Sequence, residues 1–114
     1  MKILVKIISA LTILVAAANA EYVSVEDIDL NQVQYALVEK GTKCEKWNSF
    51  LNHIQYPDTK QGKRDFFNDA DKYLNPKFSV QEIDGDVMIA MYYDNTTMLY
   101  FNSKRFCESG LKYR

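Results

Sequence analysis

The chain has 114 residues, with 14 basic and 15 acidic side chains, one histidine, two cysteines and 15 aromatic residues. A net charge of −1 with no basic block lacks the electrostatic footprint of nucleic-acid binding. One histidine and two distant cysteines also fall short of a zinc ligand set.

Lys2 and Lys6 precede an apolar stretch, Ile7 to Ala17, and Ala18-Asn19-Ala20 forms an A-x-A site before Glu21. This is the layout of a cleaved secretory signal, and the apolar run is too short for a stable membrane span. The expectation is a signal over residues 1–20 and one small domain over 21–114, periplasmic or secreted. Without Lys2 and Lys6, 12 basic and 15 acidic side chains leave that domain at −3. Its two cysteines, Cys44 and Cys107, are expected to form a disulfide, as an exported pair usually does.

Residues 21 to 28 are acidic and show no clear period. Asp29 with Gln32 resembles a helix-capping pair, and Leu30, Val33 and Leu37 recur at helical spacing until Gly41. Val33, Tyr35 and Leu37 also alternate as in a strand. Thr42 and Glu45 make a second capping box, after which Cys44, Trp47, Leu51 and Ile54 share one face with Phe50 alongside, and Pro57 ends the segment. A third helix is expected after Asp58 and Gln61, with Phe66, Ala70 and Leu74 inward and a stop at Asn75-Pro76. Gly62 weakens its first turn.

Three apolar runs follow, Phe78 to Ile83, Val87 to Tyr93 and Met98 to Asn102, separated by Asp84-Gly85 and Asp94-Asn95. Asp-Gly between apolar runs is a strong hairpin signal, because a type I′ turn needs positive φ at both central residues. Two-residue turns set Ile83 opposite Asp86, Val80 opposite Ile89 and Phe78 opposite Met91. One sheet face then carries Phe78, Val80, Val87, Ile89, Met91, Tyr93, Met98 and Tyr100. The other carries Ser79 and Gln81 beside Met88, Ala90, Tyr92, Leu99 and Phe101. The fold class expected is α+β: two to three N-terminal helices packed on one face of a three-stranded antiparallel meander, with one disulfide. Ser103 to Ser109 reads as a short turn or helix drawn back by that bond.

The chemistry-bearing residues are sparse. His53 has no serine or cysteine placed near it by a local motif. Asn68, Asp69 and Asp71 lack the glycine turn and distal glutamate of a calcium loop, and Asp84 with Asp86 is explained by the hairpin. No metal and no cofactor are expected. Asn95-Thr96-Thr97 fits a glycosylation acceptor.

The second sheet face, if left uncovered by residues 21 to 28 or the C-terminal tail, would be an apolar patch of the kind that marks an interface. Met88, Tyr92, Leu99 and Phe101 are therefore the expected partner-binding residues. The function expected is a non-enzymatic protein-binding module, such as an enzyme inhibitor or immunity protein. An envelope assembly protein or homodimeric scaffold is the alternative, and a small secreted hydrolase a third.

Overall fold

The computed structural model describes residues 22–38, 41–47 and 56–112. The signal expected over residues 1–20 lies outside them, as do Phe50, Leu51, His53 and Ile54. Six strands form one antiparallel sheet: β1 (Tyr22–Val23), β2 (Tyr35–Val38), β3 (Lys43–Lys46), β4 (Lys77–Ile83), β5 (Asp86–Tyr93) and β6 (Thr96–Phe101). Their order across the sheet is β1-β4-β5-β6-β2-β3.

The centre of the sheet is the expected meander. Asp84 at φ 52° and Gly85 at φ 87° make the turn between β4 and β5, and Phe78, Val80 and Ile83 pair with Met91, Ile89 and Asp86. Tyr93 pairs with Thr96 across the next two-residue turn, with Asp94 at φ 51°.

The first two expected helices are corrected: the first segment is a 3₁₀ turn and a strand, and the second begins as a strand, turns helical at Trp47 and then lies outside the described residues over 48–55; the three-stranded sheet is corrected to six strands. Asp29 does cap, accepting from Asn31 N at 3.0 Å, but the turn it starts is a 3₁₀ turn of three residues, Leu30–Gln32. The chain then runs into β2, where Leu37 pairs with Leu99 and Ala36 with Tyr100 of β6. Both faces of β2 are buried, Ala36 in one core and Leu37 in the other. Cys44, read as the start of a second helix, lies in β3 opposite Leu37.

The third expected helix is present as α1 (Lys60–Leu74). Its cap is Thr59 rather than Asp58: Thr59 Oγ1 accepts from Gly62 N at 3.0 Å. Gly62 has a steric reason, because a Cβ there would lie 2.1 Å from the Pro57 carbonyl oxygen. Asn75, left-handed at φ 49°, ends the helix. Phe67 is fully buried and makes edge-to-face contacts with Phe78 and Tyr100 at centroid distances of 6.0 and 5.2 Å. Arg64 donates to Val25 O at 2.7 Å and Ile28 O at 3.0 Å, which holds the N-terminal segment over the same face.

A second helix, α2 (Lys104–Lys112), lies on the opposite face. The Cys44–Cys107 disulfide is formed and ties α2 to β3. Phe106 stands edge-on to Phe101 at 5.3 Å. The sheet is thus covered on both sides: α1 and the N-terminal turns over one core, α2 over the other. No helix among the described residues is long and apolar enough to cross a membrane.

Candidate partner-binding groove

The surface expected from the sequence is covered within the chain. Met88, Leu99 and Phe101 are 1%, 6% and 1% exposed and pack with Phe106 and Cys107 of α2. Tyr92 is half-buried, its hydroxyl 3.4 Å from Ser79 Oγ and its ring 6.2 Å from that of Tyr22. These four do not form an open docking patch. The reason is that the C-terminal segment supplies a whole amphipathic helix as cover.

An open site lies elsewhere, where the N-terminal turns pass over the β4–β5 hairpin. A groove of about 190 Å³ is floored by Val80, Val87 and Ile89 and rimmed by Asp27, Asp29 and Glu82, with Gln32 and Gly85 at its end. Val80 and Glu82 face it together because alternate residues of a strand share a face. Asp27 and Asp29 reach it because the chain leaves the sheet after Val23 and crosses in two short 3₁₀ turns, Val25–Asp27 and Leu30–Gln32.

The rim is braced by neutral groups. Ser24 Oγ donates to Asp27 Oδ2 at 3.0 Å, and Gln32 Nε2 donates to Asp29 Oδ2 at 3.4 Å. Asn102 joins rim to hairpin: its Nδ2 donates to Gln32 Oε1 at 3.0 Å and to Gly85 O at 2.8 Å, while Oδ1 accepts from Val87 N at 3.0 Å.

Among the described residues the ion pairs are Lys43–Glu45, Lys104–Glu108 and Arg105–Asp86, and none of them involves a rim carboxylate. Three acids that form no ion pair among the described residues give the groove a negative rim over an aliphatic floor, and Arg64 is bonded to the Val25 and Ile28 carbonyls instead; such a rim suits a positive group carried on an apolar stem. Lysine and arginine are such groups, since their methylenes lie on apolar surface while the charge stays at the rim. No group of three or more His, Cys, Asp or Glu among the described residues is arranged to hold a metal ion. Size also favours a side chain. The groove, at about 190 Å³, is smaller than the roughly 300–1,000 Å³ of drug-sized ligand pockets and suits one side chain.

Other polar features serve the fold. Tyr56 donates to Asp69 Oδ2 at 2.5 Å, and this carboxylate, with burial adding to it, pushes the phenol up from its ordinary value near 10 to about 12. Tyr100 is buried in the aromatic core, which raises its pKa strongly, and its hydroxyl has no hydrogen-bond partner. The same holds for Trp47 Nε1.

The acidic rim was missed in the sequence because its members are far apart in it. Asp29 was visible only as a cap, Asp27 as part of an acidic stretch without period, and Glu82 as one residue of a strand. The one available signal was that residues 21 to 28 combine acidity with scattered apolar residues. No protein-family model, curated protein or solved structure matches the chain.

Proposed function

We propose that the protein is an exported, non-enzymatic binding module that docks on a basic side chain of a partner protein, as an inhibitor or immunity protein does. The observation that carries this reading is the groove: three carboxylates that form no ion pair among the described residues, above an aliphatic floor, in a space sized for one lysine or arginine. Its lining of acids, one amide and aliphatic side chains, with no histidine, cysteine, serine or lysine among them, supports recognition of a cation. Export is supported by the signal-like start of the sequence and by the Cys44–Cys107 bond, which belongs to oxidising compartments.

The test is affinity capture from envelope extract with the parent chain and with Asp27→Lys/Glu82→Lys as baits. Asp29 is left in place because it caps its turn. The expected result is a protein retained by the parent and lost by the variant, with retention by the parent falling as salt rises, since exposed charges are screened over roughly 10 Å at 0.1 M. Identical retention by two baits of equal thermal stability refutes the groove as the contact.

A further inference from the structure

The two ends of the Cys44–Cys107 bond differ in access. Cys107 is 0% exposed and packs with Phe106, Met88, Leu99 and Phe101 in the core under α2, whereas Cys44 is half-buried on β3, the last strand in the sheet order. A disulfide is opened by a thiolate that attacks one sulfur along the S–S axis, from the side away from the sulfur that leaves, and access decides which sulfur is taken. Attack on Cys107 would have to come through the packed core. Attack on Cys44 comes from the β3 side of the bond. Lys46 lies two residues on, on the same face as Cys44, and is exposed, so a positive charge stands beside the approach of an anionic thiolate.

The order of the chain points to the same sulfur. A chain led by an N-terminal signal enters the export compartment N-terminus first. Cys44 arrives 63 residues ahead of Cys107, after which only Glu108 to Arg114 follow. For most of the passage Cys44 is therefore the one thiol present. Its partner also takes its place late, because α2 has nine residues, fewer than the ~12–15 that an isolated helix needs, and packs on β2, β3 and β6. With two cysteines in the sequence a single internal pairing exists, so the chain needs an oxidant and has no use for an isomerase.

We infer that Cys44 is the entry site for thiol–disulfide exchange: a thiol oxidase of the export compartment, carrying a reactive disulfide, is held by the chain through a mixed disulfide at Cys44, and Cys107 closes the bond. The inference rests on the export reading and is independent of the groove. The Cys44 thiolate attacks the enzyme's disulfide; a bond forms from Cys44 Sγ to one enzyme sulfur, and the other leaves as a thiolate and takes a proton. The Cys107 thiolate then attacks Cys44 Sγ, and the bound enzyme sulfur leaves in turn and is protonated. The chain's two thiols are oxidised and the enzyme's disulfide is reduced to a dithiol, with two electrons and two protons transferred. A small thiol that opens the finished bond follows the same path backwards, joining Cys44 and releasing Cys107.

Two measurements test this. In the first, the purified folded protein is treated briefly with glutathione and quenched with N-ethylmaleimide, and the products are located by peptide mapping. Glutathione is expected on Cys44 and maleimide on Cys107, by a factor of at least about ten in native buffer and less than about two in concentrated guanidinium, where access is equal. An even split in native buffer, or glutathione chiefly on Cys107, overturns the inference from the fold alone.

In the second, the full chain is produced in exporting cells whose thiol oxidase lacks its second active-site cysteine, and the acid-quenched mixed disulfide is mapped. The enzyme is expected on Cys44. Enzyme on Cys107, or no mixed disulfide while the exported chain accumulates, overturns the inference. A chain that is not exported refutes the export reading, and the enzyme's part in the inference falls with it.

Discussion

Removal of the Cys44–Cys107 bond tests the two-core architecture most directly. The cysteines are 63 residues apart, a separation for which loop-closure entropy gives about 4 kcal/mol of stabilisation. At roughly 4–8 °C per kcal/mol for a domain of this size, Cys44→Ser/Cys107→Ala is expected to lower Tm by roughly 15–30 °C. The loss should also be uneven. With nine residues, α2 is shorter than the ~12–15 that an isolated helix needs. Without the bond it keeps the buried Phe106 ring, worth about 2–3 kcal/mol, and the Arg105–Asp86 pair, whose arginine side chain is 75% exposed and which adds at most about 1 kcal/mol. Ordering the helix offsets much of that. Hydrogen exchange of the variant is therefore expected to show the α2 amides opening within about 2 kcal/mol, while Phe78 and Ile89 keep the protection of the global unfolding reaction. If the α2 amides stay as protected as those of the sheet, or if Tm does not move, the bond is not what holds α2 down.

Three further substitutions address the other parts of the fold. Gly62→Ala gains about 1 kcal/mol of helix propensity but sets a Cβ 2.1 Å from the Pro57 carbonyl oxygen, so urea unfolding should show a net loss of about 1–2 kcal/mol; a gain would show that Pro57 yields freely. Tyr100→Phe removes a buried hydroxyl that lacks a partner and should stabilise by about 1 kcal/mol. Because burial raises the Tyr100 pKa, the unfolded chain releases that proton first, and stability falls as pH rises above 10; the variant should lose less between pH 10 and 12 than the parent, as thermal melts would show. Asn102→Ala breaks contacts with Val87, Gln32 and Gly85 and should cost about 1–3 kcal/mol, with amide shifts in Gln32 and Gly85 that mark loosening of the groove end.

The meander was legible because its signals are local. Asp84 and Gly85 dictate a turn, the turn dictates register, and period-2 alternation assigns the faces, so Val80 opposite Ile89 followed from neighbouring residues. The existence of helix α1 was legible for the same reason, but its cap is Thr59 rather than Asp58, and its inward face carries Phe67 with Ala70 while Leu74, expected inward, is 44% exposed. β2 was not, since Leu30, Val33 and Leu37 satisfy a helical spacing while the pairing that makes a strand of Tyr35–Val38 comes from β6, more than sixty residues later. Non-local ladder bonds override a short-range pattern, and the alternation of Val33, Tyr35 and Leu37 was the signal that agreed with them. The docking face failed for a related reason. Met88, Leu99 and Phe101 were correctly placed on one side of the sheet, but whether that side meets solvent depends on α2, whose amphipathic pattern is brief and whose position is set by a disulfide.

The groove and the bridged helix lie near opposite edges of the sheet, and their separation bears on how the two can vary. β3 and β4 have three strands between them, so at about 4.8 Å per step they are roughly 19 Å apart. They also use different faces: Val80, Val87 and Ile89 belong to the core under α1, whereas Cys107 and Phe106 pack in the core under α2. A lesion in one core reaches the other only through the backbone of the shared strands, where side chains of the two faces alternate without touching. The direct exceptions are Asn102, which follows β6 immediately, precedes α2, and bonds to Gln32, Gly85 and Val87 beside the groove, and Arg105 of α2, which pairs with Asp86 between Gly85 and Val87. Stability supplied by the disulfide and the shape of the groove rim are therefore largely separable, and Asn102 and the Arg105–Asp86 pair are the contacts through which loosening of α2 would reach the groove.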